Sequence, residues 1–312
     1  MSTEILKVSD LTVRRGDILA LESLSFDVQD GEVFGLLGPN GSGKSTTFSV
    51  LAGLLRAQSG ALRWRGVEIK GGDKRALREV GFVGQSPSLD PNLTARENLK
   101  LSAALHSIPR SDRSARIEEM LQLAELIDRA DELVSTLSGG MKRRLDIARA
   151  LIHKPRVLIL DEPTTGLDEG AFQRMWRHLL TLREERALTI LLSTHRPEEA
   201  AKCDRIAFIV KGQVVACDSP EALQRLVSED RLMITCDAPT EAAELLTERL
   251  ALEVSASELG VSLTSEEGHT LIPRVVEALP SGSVHSIQLS RPNLGDVFLH
   301  LTGASLTEET RA

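Results

Sequence analysis

The octapeptide "GPNGSGKS" (Gly38–Ser45) constrains this chain most. It satisfies G-x-x-x-x-G-K-[ST] in full. It follows "VFGLLG" (Val33–Gly38), a continuous apolar run suited to a strand covered on both faces, and it precedes a helix expected from about Gly43 to Leu55. A glycine-rich turn that opens a helix points unpaired N–H groups and the positive helix end at one place, so it is built to hold an anion. The N–H groups from Gly41 to Ser45 are expected to cradle phosphate, with Lys44 reaching the β- and γ-phosphates and Ser45 ligating Mg²⁺.

Around that loop the pattern is α/β. "EILKVSDLTVRRG" and "SLSFDVQDGE" alternate apolar and polar residues, as half-buried antiparallel strands do, and "VGFVG" (Val80–Gly84) reads as a short buried strand. From Thr94 to about His153 the spacing turns helical. It opens on "TARE", a capping box with Thr94 as N-cap and Glu97 reaching back, and continues in "SDRSARIEEMLQLAELI". Strand patterns return at "RVLILDEP", "ALTILLSTH", "RIAFIVKG" and "QVVACD". Strands alternating with helices predict a largely parallel sheet, interrupted by a helical insertion over about residues 86–153. "SPEALQRLV" reads as a capped helix with Pro220 in its first turn. Beyond it, "RLMITCD", "TEAAELLTERL", "ALEVSAS", "GVSLTS", "TLIPRVVEAL" and "SVHSIQLS" give β-α-β-β-α-β, the ferredoxin-like order, before a last helix over Leu294–Leu301. A boundary near Ser228–Asp230 divides the chain into residues 1–228 and a small α+β domain, 229–312.

A second glycine turn, "LSGGM" (Leu137–Met141), opens another helix, so Ser138, Gly139 and Gly140 form a second candidate anion site. "VLILDE" ends an apolar strand in Asp161 and Glu162, where α/β sheets place their ligands. By itself such a pair is usually a solvated turn. Beside a phosphate loop, Asp161 is expected to serve the metal and Glu162 to take the proton of an attacking water. His195, ending "LLSTH", and Gln85, after "VGFVG", are unremarkable alone; the histidine is more often structural.

Charge and composition narrow the partners. A net charge of −8 argues against general nucleic-acid binding, which needs a basic surface. No run approaches the ~18–20 apolar residues of a membrane span. The opening "MSTEILKVSDL" lacks the layout of a leader peptide. Cys203, Cys217 and Cys236 share no ligand spacing and read as idle or buried thiols, in keeping with a reducing cytosol.

Taken in order, "GPNGSGKS", Gln85, "LSGGM", "VLILDEP", "GLD" (Gly166–Asp168) and His195 resemble the ABC-type ATPase domain over about residues 4–225. The resemblance implies a P-loop fold with a mixed sheet, an antiparallel β subdomain and the helical insertion. It implies Mg²⁺–ATP bound by Gly38, Pro39, Asn40, Gly41, Ser42, Gly43, Lys44, Ser45 and Thr46, with Ser45, Gln85 and Asp161 at the metal. It makes Glu162, His195, Gln85 and Lys44 the catalytic set. It also implies a head-to-tail homodimer, in which Ser138, Gly139 and Gly140 meet the γ-phosphate of ATP held by the partner's Lys44, and Asp168 links the two sites. Where that family commonly stacks an aromatic on adenine, this chain has Arg15, and it contains no tyrosine. The Met141 signature and the tail "RPNLGDVFLHLTG" (Arg291–Gly303) resemble ATPase subunits of bacterial drug- and polysaccharide-type exporters. The expectation is therefore an ATPase at the cytoplasmic face of the membrane that drives a separate membrane subunit, contacted through about Gln85–Leu105. An importer subunit, or a soluble ATPase acting on ribosomes or DNA, is the alternative.

Overall fold

The computed structural model describes residues 4–69, 78–227, 230–250, 252–257, 260–265, 268–280, 282–290 and 292–306. Within them the chain forms two compact units, one up to Pro220 with Ser305 and Leu306, the other Glu221–Ala304. Ser228, Ala251 and Arg291, which bound three of the stretches named above, lie outside the described residues.

In the larger unit, β1 (Glu4–Arg15), β2 (Ile18–Gln29), β4 (Ser59–Trp64) and β5 (Val67–Ile69) make an antiparallel sheet in the order β2-β1-β4-β5. A six-stranded sheet runs β10-β9-β3-β8-β7-β6. Its members are β3 (Val33–Leu37), β6 (Val80–Val83), β7 (Val157–Asp161), β8 (Thr189–Thr194), β9 (Arg205–Val210) and β10 (Gln213–Asp218). Only β10 pairs antiparallel; the other neighbours are parallel. Strands β3, β7 and β8 are buried at every position, as strands covered on both faces must be. The core joins the two sheets through side chains such as Phe26 and Phe34, whose rings stack at 5.4 Å.

The phosphate-loop helix α1 (Lys44–Leu51) is shorter than the spacing predicts, because Gly53 turns left-handed (φ 71°) just past its C-cap and closes it. The insertion holds α2 (Ala95–Leu105), α3 (Arg110–Leu123), two 3₁₀ turns and α4 (Gly139–Leu151). Both halves of the capping box form: Thr94 Oγ1 accepts from the Glu97 N–H at 3.1 Å, and Glu97 Oε2 accepts from the Thr94 N–H at 2.9 Å. Helix α5 (Glu169–Arg186), which the sequence reading did not single out, buries Phe172, Met175, Trp176, Leu179 and Leu182. A short α6 (Pro197–Ala200) follows β8, and α7 (Pro220–Gln224) starts at the last residue of this stretch and continues into the smaller unit.

The smaller unit contains β11 (Asp230–Cys236), α8 (Pro239–Leu250), β12 (Val254–Ser257), β13 (Gly260–Ser265), α9 (Gly268–Ala278), β14 (Val284–Ser290) and α10 (Leu294–Thr302). Its sheet is antiparallel throughout, in the order β12-β13-β11-β14. Counted within the unit, that is second-third-first-fourth, the ferredoxin-like arrangement. Leu232, Ile234, Leu246, Val261 and Val275 form its core.

Candidate nucleotide-binding and hydrolytic site

Strands β6, β7, β8 and β3 are consecutive neighbours, and each delivers a predicted residue at its carboxyl end: Gln85, Glu162, His195 and the loop Gly38–Ser45. The loop admits little but glycine at two points. A Cβ on Gly38 would lie 2.2 Å from the Ile209 carbonyl oxygen, and one on Gly43 (φ 110°) would lie 2.8 Å from that of Ala20. Lys44 folds back over the loop, donating from Nζ to the carbonyls of Gly38 (2.7 Å) and Pro39 (2.9 Å). It is buried, and its nearest carboxylate, Glu162, stands 3.8 Å away. Burial pushes the Lys44 ammonium below its ordinary value, against Glu162 and Asp161, which hold it up. A buried ammonium so thinly paired is a site for an anion.

Glu162 is the centre of the arrangement. Its carboxylate accepts from Thr165 Oγ1 at 3.0 Å and from Gln85 Nε2 at 3.4 Å, and His195 Nδ1 lies 3.4 Å from it. Its own N–H donates to Ser193 Oγ (3.0 Å), which in turn donates to Asp161 Oδ1 (2.5 Å). Glu162 takes a left-handed backbone (φ 46°), a conformation that costs a residue with a side chain ~1–3 kcal/mol and recurs at functional sites.

Of these groups, Lys44, Gln85 and Glu162 line a cleft of about 740 Å³ together with Asn40, Gly41, Gly43, Ser45 and Thr46. Asp17–Ala20, Glu22 and Lys211 line it as well. Asp161 is buried at the end of β7, two strands over from β3, and accepts from Ser193 of the intervening β8. Arg15 ends β1, exposed, opposite Ile18 in the β1–β2 register.

Ser138, Gly139, Gly140 and Asp168 are brought together elsewhere, on a cleft of about 900 Å³ that shares no lining residue with the first. Ser138 caps α4, its hydroxyl accepting from the Met141 N–H at 3.3 Å, and Asp168 caps α5 through the Ala171 N–H at 2.8 Å. Nothing within 4 Å stands where a Cβ on Gly139 or Gly140 would point.

Sequence reasoning missed Ser193, Thr165 and Arg143. The first two carry no signal beyond proximity to the motifs. Arg143 does: it shares a helical stripe with buried Asp146, Ile147 and Ala150, where a charge is out of place.

A largely parallel sheet with a phosphate loop, an acid-bearing strand two places along and a second glycine-headed helix defines a P-loop ATPase of the ATP-binding-cassette class. The profile of the ABC transporter family matches residues 21–165. The Nod factor export ATP-binding protein I of Burkholderia thailandensis is 39% identical over 99% of this chain and 100% of its own length. The linearmycin resistance ATP-binding protein LnrL of Bacillus subtilis is 32% identical over 97% of this chain and 100% of its own. Among solved structures, the ATP-binding cassette MJ0796, dimeric with ADP and Pi, superimposes with a TM-score of 0.62 at 30% identity, over 69% of this chain and 98% of that one. The chain belongs to the ABC transporter family and is one of its ATP-hydrolysing, ATP-binding members.

Proposed function

We propose that this chain is the energy-coupling subunit of an exporter, which hydrolyses ATP at a head-to-tail dimer interface to drive a separate membrane-spanning subunit from the cytoplasmic face. The observation that carries the chemistry is the convergence of Lys44, Gln85, Thr165 and His195 on the Glu162 carboxylate beside the phosphate cradle. Lys44 and the N–H groups of Gly41–Ser45 hold the phosphates. Glu162 accepts the proton of the attacking water, and Gln85 and His195 fix its carboxylate and the water beside it. Ser45, Gln85 and Asp161 would hold Mg²⁺ through the hard oxygen donors it takes, and the ion would supply charge neutralisation to the phosphates.

The dimer reading rests on the two clefts. Since Ser138–Gly140 do not border the cleft of their own Lys44, the phosphate they suit belongs to another copy. The export reading rests on relatives that match along their full length and are named for export or drug resistance. The membrane subunit is placed against Gln85–Leu105, where α2 leaves Leu101 and Leu105 exposed at 49% and 76%. The smaller unit is read as a docking module.

Glu162→Gln tests this. It is expected to keep ATP binding, cut turnover at least ~100-fold, and hold an ATP-bound dimer. Purified from its host in mild detergent with ATP, that form is expected to carry a polytopic membrane protein at near one-to-one ratio. Wild-type turnover would remove Glu162 as the base. Recovery with ribosomal or DNA-associated proteins instead would overturn the transporter reading.

A further inference from the structure

Arg143 lies on the inner face of α4 and is 6% exposed. Among the described residues its guanidinium bonds to no carboxylate. It donates instead to three main-chain carbonyls: Nη1 to Gly84 at 2.6 Å, Nη2 to Asp161 at 3.0 Å and Nε to Pro163 at 3.2 Å. Gly84 immediately precedes Gln85, and Asp161 and Pro163 flank Glu162. A single side chain of the helix headed by Ser138–Gly140 therefore grips both loops that carry the hydrolytic groups. We infer that Arg143 is a positioning residue, which makes the placement of Glu162 and Gln85 depend on the position of α4. The inference rests on the reading of Glu162 as the base.

Three observations support more than ordinary packing. Burying a guanidinium among carbonyls is costly, and an apolar residue would fill the same space with less penalty. The bonds fall where they matter: with the carbonyls on both sides of Glu162 held, its left-handed backbone (φ 46°) cannot relax without breaking one of them. The same helix also holds the strand and loop of Gln85 at two other points. The Ser88 N–H donates to Asp146 Oδ2 (3.2 Å), and Arg149 Nη2 donates to the Phe82 carbonyl (3.4 Å). Burial pushes the Arg143 pKa down while Asp146, Asp161 and Glu199 hold it up, and the side chain stays charged throughout. When the glycine-headed end of α4 engages a phosphate, its shift reaches the hydrolytic groups through this planar fork. A lysine, with one nitrogen, cannot span three carbonyls.

The test uses the full-length chain with Arg143→Lys and Arg143→Gln, each alone and combined with Glu162→Gln. Steady-state turnover, affinity for ATP and Tm are measured. Displacing a catalytic group by about an ångström costs ~100-fold, so kcat is expected to fall by that order in both single variants. KM and the Kd for ATP should stay within about threefold of wild type, the pattern of an interaction that matters only in the transition state. In the Glu162→Gln background the Arg143 substitutions should cost little more, since the group they position is already gone. Wild-type kcat in either variant overturns the proposal. So does a loss that multiplies fully with that of Glu162→Gln, or a parallel collapse of Tm and ATP binding, which would give Arg143 a folding role alone. If Glu162→Gln itself turns over normally, the base assignment fails, and that result is separate from anything Arg143 shows.

Discussion

Arg15 and Ile18 face each other across the β1–β2 turn, so their side chains rise from the same side of the sheet. Ile18 is 57% exposed and lines the same cleft as Lys44, so it is a candidate to meet the base of an ATP whose phosphates the loop holds. No aromatic residue lines that cleft, and the chain has no tyrosine. A base held there would rest on an aliphatic edge and, beside it, a guanidinium that can stack but is well hydrated. Stacking a base on an aromatic ring contributes ~1–3 kcal/mol. Arg15→Tyr is accordingly expected to tighten ATP binding by roughly fivefold or more, and Arg15→Ala to weaken it, both read as Kd by equilibrium titration. An unchanged Kd in both variants would mean that the base never reaches this position. Lys44 and Glu162 were readable as a pair because their motifs name them. Arg15 was readable only as a departure, and what accompanies it, Ile18, is a product of strand register that no motif encodes.

Elements carry a different kind of information, and the junction of α2 and α4 shows it. His106 caps the end of α2 and His153 lies just past the end of α4; their rings stack with centroids 3.9 Å apart and 2° from parallel. His153 Nε2 lies 3.1 Å from the Val80 carbonyl, while its Nδ1 is buried without a partner among the described residues. Burial pushes the His153 pKa down to about 4, helped by His106 and Arg149 and opposed only by the Val80 carbonyl. Burial and Arg149 push His106 down as well. Between pH 6.5 and about 4 the unfolded chain thus binds protons that the folded chain refuses, so acidification through that window removes stability; below it both states are protonated and the loss stops. His153→Gln is expected to flatten this segment of a pH–Tm curve, and parallel curves for the two proteins would refute the coupling. Such a pair is invisible in sequence, where the two histidines stand far apart. The same holds for β4 and β5: "SGALRW" is short and broken by Arg63, and becomes a strand because β1 and β5 pair with its two edges. Helix α5 does carry its stripe of Phe172, Met175, Trp176, Leu179 and Leu182, but its opening signal, Asp168, is the residue also assigned to the nucleotide interface. By contrast β3, and the Thr94–Glu97 box, were legible because a single physical demand, burial on two faces or an unpaired N–H, fixes each.

At the scale of the whole molecule, the two clefts make the strongest demand. Each chain holds a phosphate loop and a glycine-headed helix with open space before it, and among the described residues the two line separate clefts. A helix end offers only about half a charge, enough to sense a phosphate already bound elsewhere but not to recruit one. The proposed two-fold pairing would satisfy both, because an isologous contact that sets one copy's loop against the other's helix repeats that contact in reverse. Ser138→Asp and Lys44→Ala separate the halves. Aspartate is as good an N-cap as serine, so α4 keeps its start while a negative charge faces the incoming phosphate. Lys44→Ala removes the cation from the loop and leaves the helix intact. Each variant alone builds dimers with no complete site. Mixed in equal amounts, half of the dimers carry one complete site of two, so turnover is expected to recover to roughly a quarter of wild type if the sites act independently. Either parent alone should stay near background. Mixtures no more active than their parents would show that Ser138 and Lys44 do not act across a dimer, and the second glycine turn would then need another anion.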